Sequence, residues 1–161
     1  MKTIILPGYS LHNKDWAEEV AKKLNLGHGV IVHNWEHWSQ GGSFSLKYEV
    51  EKILEEVGSD KVNIIAKSVG VYVALNLIPM IPSRVKKVIL CGIASVAGED
   101  RKGLLETLTS RIPIENILCI QNENDKFVTY SEAKGFYHSV SPKLEVVSNP
   151  RSDHNYPYFE K

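Results

Sequence analysis

Short apolar, β-branched segments alternate with amphipathic segments along the whole chain, and this alternation restricts the fold more than any other feature of the sequence. The apolar segments lack polar alternation, which is typical of strands buried on both faces of a sheet. The amphipathic segments repeat their apolar residues at helical spacing and end near glycine or proline. Strands that alternate with helices of about 10–13 residues predict right-handed βαβ units and therefore an α/β fold.

We predict one domain over residues 1–161, built as a doubly wound, three-layer α/β/α sandwich with six parallel strands. The predicted strands are 2–6, 29–33, 61–66, 85–91, 114–120 and 143–147. The predicted helices are 14–26, 45–57, 69–78, a helix within 98–110, and 131–139, with Ser131 as the N-cap of the last. In such sheets, ligands bind at the carboxyl ends of the strands, so the loops that follow the strands are the candidates for a site.

Composition argues against several classes of function. Nineteen basic residues balance nineteen acidic ones, and no basic block offers a surface for phosphates, so we expect no nucleic-acid partner. No apolar run reaches the roughly 18 residues that cross a bilayer, and the apolar start is too short for a signal peptide, so we expect no membrane partner. Cys91 and Cys119 lie inside predicted strands, which favours buried free thiols and a cytoplasmic location.

The predicted third strand passes directly into the third helix at the sequence AKSVG, residues 66–70. Ala66 and Gly70 are small, so they permit a sharp turn with Ser68 at its apex. Such a turn projects the serine hydroxyl above the sheet edge as a nucleophile, with the Val69 amide aimed at a developing oxyanion. The alternative is that Ser68 is an ordinary helix N-cap.

A nucleophilic serine needs a base and a group that orients this base. The loop after the fifth predicted strand contains Asp125, and the loop after the sixth contains His154. We therefore predict Ser68, Asp125 and His154 as nucleophile, acid and base. Glu123 and Asp100 are alternatives for the acid. The alternative interpretations are that Asp125 only forms a turn and that His154 is a solvated surface histidine.

These segments together resemble the α/β-hydrolase superfamily over essentially the whole chain. AKSVG at 66–70 resembles the nucleophile elbow, NENDKFV at 122–128 the acid loop and SDHNY at 152–156 the histidine loop. The elbow departs from G-x-S-x-G at Ala66. The resemblance implies the strand order 2-1-3-4-5-6. It also implies a core without a cap domain, because residues 92–110 suffice for one helix only. Small cap-less serine hydrolases of the retinoblastoma-binding-protein type are the nearest sub-group.

The resemblance also implies that the loop after the first strand supplies the second oxyanion amide. By position this is the amide of Tyr9, with Ser10 as the alternative, because Pro7 stands where the family often has histidine. We also expect Ser10 to contact the substrate.

The segment 33–40 is interpreted as a loop beside the nucleophile. Trp35 and Trp38 then form either an apolar wall for the acyl or leaving group or a cap on the sheet edge. Lys67, next to the nucleophile, either favours an anionic substrate or is a solvated surface lysine, and the second interpretation is the expected one.

One motif competes with this interpretation, since HNWEH at 33–37 matches the zinc-peptidase pattern H-x-x-E-H. Zinc binding needs both histidines on one helical face, whereas an extended continuation of the second strand separates them by about 13 Å. We therefore expect no metal.

The predicted function is a serine hydrolase that cleaves a small ester, thioester or activated amide through an acyl-enzyme on Ser68. This mechanism needs no metal or organic cofactor. A non-catalytic binding protein on the same scaffold and an acyltransferase with the same residues are the alternatives. The predicted partner is a small acyl substrate, and the chain is expected to be a monomer or a homodimer.

Overall fold

The computed structural model describes residues 1–157 and contains one six-stranded parallel sheet. Its order, β2-β1-β3-β4-β5-β6, confirms the predicted number and arrangement of strands. The strands are β1 Lys2–Leu6, β2 Gly29–Val32, β3 Val62–Lys67, β4 Val85–Cys91, β5 Ile117–Asn122 and β6 Glu145–Asn149. Within residues 1–157, no helix combines the length and the apolar character that a membrane crossing requires.

Six α-helices connect the strands, one more than predicted. They are α1 Asn13–Lys23, α2 His37–Gln40, α3 Leu46–Val57, α4 Val69–Leu77, α5 Glu99–Arg111 and α6 Tyr130–Val140. The additional helix, α2, is a single turn in the segment that was predicted to be a loop and an extension of β2.

The N-cap of α6 is Thr129, so the prediction of Ser131 was wrong. The Thr129 hydroxyl accepts a hydrogen bond from the Glu132 amide, and the Glu132 carboxylate accepts one from the Thr129 amide. This reciprocal capping box satisfies two amides that the start of a helix leaves unpaired, and a hydroxyl two residues later cannot do so.

Alternate residues of each strand divide the apolar core between the two faces of the sheet. Ile4 and Ile64 belong to a large cluster that also contains the apolar faces of α3, α4, α5 and α6. Ile5 and Ile65 belong to a smaller cluster with α1. Within residues 1–157, one face is therefore covered by four helices in a row and the other by α1.

The face covered by α1 is only partly closed, because α1 packs against β1 and β2. Strands β4 to β6 carry half-buried apolar residues on this face: Ile89, Leu118, Ile120 and Val147. The opposite face contributes most of the buried core.

Candidate active site

Ser68 lies between the end of β3 and the start of α4, in a backbone conformation that side chains rarely adopt. Its φ of 56° and ψ of −116° make it the one non-glycine residue with positive φ within residues 1–157. The turn is held by hydrogen bonds from the Ser68 amide to the Cys91 carbonyl and from the Val71 amide to the Ser68 carbonyl. Ser68 occupies the N-cap position of α4, but its hydroxyl makes no capping hydrogen bond. The strained turn leaves the hydroxyl available for chemistry.

The sharp turn depends on a very close approach between α4 and β1. A Cβ atom on Gly70 would lie 2.1 Å from the carbonyl oxygen of Leu6, so only glycine fits there. Ala66 is fully buried at the end of β3. The two small residues that the sequence marked on either side of the serine thus have a steric function in the structure.

Asp125 and His154 come from the loops after β5 and β6 and are hydrogen-bonded to each other. Nδ1 of His154 lies 2.6 Å from Oδ2 of Asp125, and the Phe127 amide donates to the other carboxylate oxygen at 2.9 Å. Burial raises the pKa of Asp125, but hydrogen bonds from His154 and Tyr156 outweigh burial and hold this pKa below its usual range. The carboxylate therefore stays charged and fixes His154 with Nδ1 as donor, which leaves Nε2 as the acceptor.

Tyr156 is a residue of this site that the sequence analysis missed. Its hydroxyl donates to Asp125 Oδ2 at 2.6 Å and accepts from the Asn122 amide at 3.1 Å. Its ring packs so closely on Gly92 that a Cβ there would lie 2.4 Å from the ring. Burial raises the pKa of Tyr156, so the hydroxyl remains a donor. The only signal in the sequence is a tyrosine two residues after the histidine.

A buried amide positions the loop that carries His154. Asn122, at the end of β5, donates from Nδ2 to the carbonyls of Asp153 and Asn155, on either side of the histidine. The Phe127 ring contacts the imidazole edge to face, with centroids 4.7 Å apart. Asn122 therefore holds the loop backbone on both sides of His154, while Asp125 and Phe127 hold its imidazole ring.

Ser68 and His154 line the same cavity, which has a volume of about 340 Å³. His154 Nε2 is buried, yet it has no hydrogen-bond partner within residues 1–157. It is also not hydrogen-bonded to the Ser68 hydroxyl. Such catalytic contacts are often long in unliganded proteins and shorten when substrate binds. The cavity is also lined by Tyr9, Ser10, Asn13 and Lys67.

Three backbone amides near this cavity have no hydrogen-bond partner in the described part of the chain: that of Val69, at the start of α4, and those of Tyr9 and Ser10, in the loop after β1. Tyr9 and Ser10 line the cavity together with Ser68, and Val69 directly follows Ser68. Unpaired amides at a helix start and a loop can stabilise a negatively charged oxygen. The sequence analysis selected Val69 and Tyr9, with Ser10 as the alternative to Tyr9, and their role as oxyanion donors stays a prediction.

The tryptophans of the segment 33–40 hold the loop after β1 and do not line the cavity of Ser68. Trp35 is 1% exposed, and its indole donates to the carbonyls of Pro7 and Gly8. The Trp38 indole donates to the Tyr9 carbonyl at 2.8 Å. Both rings border a different cavity, so the structure favours the interpretation that they cap the sheet edge over the interpretation as an acyl wall.

Lys67 is not a solvated surface lysine, so this expectation was wrong. The residue is 3% exposed, and its Nζ donates to Asn13 Oδ1 at 2.6 Å. It also lies 5.5 Å from the centre of the Trp16 ring. The alternation of β3 explains the burial, because Lys67 lies on the same face as Ile65 and therefore points toward α1. Burial lowers its pKa.

The alternative acids and the histidines of the zinc motif lie outside the pair formed by Asp125 and His154. Glu123 and Asp100, the alternative acids, are both exposed, and Asp100 lies in the first turn of α5. The two histidines of the zinc motif have separate partners, since His33 bonds to Glu49 and His37 to the Tyr9 carbonyl. In the described residues, no group of three potential ligands is arranged to hold a metal ion.

A comparison with known protein families gives one match, and a comparison with curated proteins gives none. A family model described as serine hydrolase matches residues 3–154, a span that contains Ser68, Asp125 and His154. A sequence search among curated proteins found no match.

Solved structures share the fold at low sequence identity. An α/β serine hydrolase homologue from Coxiella burnetii is 20% identical with a TM-score of 0.72, the match covering 96% of this chain and 76% of that one. A predicted CIB-like hydrolase from Thermoplasma acidophilum is 22% identical with a TM-score of 0.71, covering 99% and 79%. A lidless α/β serine hydrolase from Xanthomonas campestris is 17% identical with a TM-score of 0.67, covering 95% and 72%. The fold of the chain is thus the α/β-hydrolase fold without a cap.

Proposed function

The chain belongs to the serine hydrolase family, and from this premise we propose that it cleaves a small ester, thioester or activated amide through an acyl-enzyme on Ser68. The observation that carries the proposal is the pair of Asp125 and His154, joined at 2.6 Å, with His154 Nε2 left without a partner in the described residues and His154 lining the same cavity as Ser68. This is the arrangement that a serine nucleophile requires of its base and of the group that orients it.

In the proposed reaction, the Ser68 oxygen attacks the substrate carbonyl carbon while its proton passes to His154 Nε2. The charged Asp125 stabilises the imidazolium, and the amides of Val69 and Tyr9 donate to the negative carbonyl oxygen. Collapse of this tetrahedral species breaks the bond to the leaving group, which takes the proton from His154. Water then attacks the acyl-serine, with its proton going to His154, and releases the acid together with the restored serine.

The expected contribution of each proposed catalytic group to the rate follows from known serine hydrolase sites. Loss of the nucleophile or base removes a factor of about 10⁴ or more in turnover, and an asparagine in place of the acid costs about 10⁴. Each oxyanion donor contributes about 3 kcal/mol to the transition state. The small cavity and the absence of a cap favour small, accessible substrates.

The test is labelling by a fluorophosphonate probe together with turnover of p-nitrophenyl acetate. We expect the probe to react with Ser68, and Ser68→Ala to abolish both labelling and turnover. Ser131→Ala, which changes an exposed serine of α6, should retain both. Asp125→Asn should retain the fold and lose most of the turnover.

Three outcomes decide among the alternatives. Undiminished turnover in Ser68→Ala overturns the proposal. A wild-type protein that neither reacts with the probe nor turns over any ester favours a binding protein on a hydrolase scaffold. Labelling with turnover that rises strongly when an alcohol or amine acceptor is added favours acyl transfer instead of hydrolysis.

A further inference from the structure

Lys67 lines the cavity of Ser68, and in the described residues it forms no ion pair. The residue is 3% exposed, yet its Nζ has a neutral hydrogen-bond partner, Asn13 Oδ1, and a neutral aromatic neighbour, Trp16. Removing an ammonium group from water is costly, and proteins usually compensate this with a carboxylate. This lysine therefore retains hydrogen-bonding capacity beside the nucleophile, because an ammonium has three donors.

The carboxylates nearest to the site are already engaged by other donors. Asp125 accepts hydrogen bonds from His154, Tyr156 and the Phe127 amide. Asp153 accepts two from Arg151, at 2.6 and 3.0 Å. Neither carboxylate pairs with Lys67, although both contribute to its electrostatic surroundings.

Other charges at the cavity add to the positive potential. Lys126 lines it from the loop after β5, and its exposed ammonium lies over the Phe127 ring. Asp153 is the one acidic side chain among the described residues that line the cavity with Ser68, and it is paired with Arg151. The charge left at the cavity is therefore positive, which suits a negatively charged substrate group such as a carboxylate.

We propose that Lys67, held by Asn13, binds a carboxylate of the substrate, so that this hydrolase prefers esters or amides that carry a carboxylate a few bonds from the scissile carbonyl. The carboxylate is placed near the scissile carbonyl because Lys67 and Ser68 line the same cavity. This inference rests on the proposed function, because it names the substrate class of the same site.

Asn13 places the lysine and the loop after β1 in one network. Its Oδ1 accepts from Lys67, and its Nδ2 donates to the Ser10 carbonyl and hydroxyl at 3.0 and 2.9 Å. Gly8 leaves room for this side chain, because a Cβ there would lie 2.5 Å from Asn13 Oδ1. A bound carboxylate would therefore meet both the ammonium and the loop that carries the Tyr9 amide.

The test compares kcat/KM for matched esters that differ in one charge. One pair carries the charge on the leaving group, 3-carboxyphenyl acetate against its methyl ester. The other carries it on the acyl group, mono(4-nitrophenyl) adipate against 4-nitrophenyl hexanoate. We expect the wild-type protein to prefer the anionic member of at least one pair by about 10-fold or more, which is typical of one charge-assisted hydrogen bond.

Three variants assign this preference to the lysine. Lys67→Met should abolish the preference mainly through KM, and Lys67→Arg should retain much of it. Asn13→Asp supplies a carboxylate to the ammonium within the protein, so it should abolish the preference as well while leaving Lys67 in place.

The outcomes separate this inference from the proposed function. Fluorophosphonate labelling of Ser68 with equal rates on both members of both pairs overturns the carboxylate preference and leaves the hydrolase intact. An anion preference that persists unchanged in both Lys67→Met and Asn13→Asp overturns the role of Lys67. If Lys67→Met does not fold, the wild-type comparison and Asn13→Asp still decide the question. No labelling at all removes the proposed function together with this inference.

Discussion

The hydroxyl of Tyr156 lies 2.6 Å from Oδ2 of Asp125, the same carboxylate oxygen that accepts the hydrogen bond from Nδ1 of His154. Oδ1 is occupied by the Phe127 amide. The carboxylate of the proposed triad is thus bonded on both oxygens and cannot rotate. Tyr156 acts on His154 through Asp125, so we regard it as a positioning residue.

Replacing Tyr156 by phenylalanine tests this positioning. Tyr156→Phe removes one donor to Asp125 and one acceptor of the Asn122 amide, so we expect a loss of about 1–2 kcal/mol in the free energy of unfolding. We also expect kcat to fall several-fold and the pH profile of kcat to shift. The reason is that Asp125, which orients His154, loses a hydrogen bond that stabilises its charged form. Tyr130→Phe, which removes a hydroxyl bonded to the Val146 carbonyl, is the control and should leave the pH profile unchanged. Identical profiles for wild type and Tyr156→Phe would contradict the role.

The Tyr9 carbonyl accepts two side-chain hydrogen bonds, and this anchoring yields a second prediction. Nε2 of His37 and Nε1 of Trp38 both lie 2.8 Å from it. Trp38→Phe keeps an aromatic ring but loses the donor, so the loop that carries the Tyr9 amide is held less firmly. We expect kcat for p-nitrophenyl acetate to fall by about 10-fold, less than the roughly 10²–10³ that deletion of an oxyanion donor costs. Asn34→Ala, at an exposed position of the same segment, should have no such effect.

The pattern of apolar segments predicted all six strands, but it misplaced both ends of the last two. β5 was predicted at 114–120 and β6 at 143–147, whereas the strands begin later, at Ile117 and Glu145, and run further, to Asn122 and Asn149. These two asparagines are buried and lie opposite each other in the sheet. Polarity normally marks a loop, so hydropathy alone ends both strands too early.

Side-chain direction at the site was harder to predict than residue identity. The order of Ser68, Asp125 and His154 follows from the three loops, and their assignment as a triad stays a prediction that the labelling experiment tests. The buried position of Lys67 and the bond from Tyr156 depend on how α1 and the last loop pack against the sheet. The sequence contains no periodicity for such contacts, because they join segments that lie far apart along the chain.

Gly70 provides a prediction about the turn at Ser68. Gly70→Ala places a Cβ 2.1 Å from the Leu6 carbonyl oxygen, and neither the strand nor α4 can move away without disturbing the core. We expect the free energy of unfolding in urea to decrease by about 2–3 kcal/mol, or the protein not to fold. Gly135→Ala is the matched control in α6, where nothing lies within 4 Å of the added Cβ. It should stabilise the protein by about 0.5–1 kcal/mol, since alanine favours helix. Equal effects of the two substitutions would contradict the packing argument.

His33, the first residue of the segment 33–40, is buried and hydrogen-bonded to two carboxylates. Nε2 of His33 lies 2.6 Å from Glu49, and Nδ1 lies 2.8 Å from Glu56. Glu49 also accepts from the Glu36 amide, which connects the network to the turn before α2. Because carboxylates only accept, both ring nitrogens of His33 act as donors, and the ring is positively charged in this arrangement. Burial opposes that charge, but the hydrogen bonds that His33 donates to Glu56 and Glu49 outweigh burial and raise the pKa of His33.

This raised pKa predicts a pH dependence of stability with a definite sign. The folded protein holds the proton of His33 more tightly than the unfolded chain, whose pKa is near 6.5. The stabilisation is therefore complete below pH 6.5 and is lost as the pH rises through the higher pKa of the folded state, with a slope of at most about 1.4 kcal/mol per pH unit. Urea unfolding between pH 6 and about pH 9 should show this decrease in the wild type. His33→Gln should be less stable at pH 6 and should lack this contribution to the slope, whereas His138→Gln should keep it. A free energy of unfolding that rises over this range in the wild type and equally in His33→Gln would contradict the protonated network.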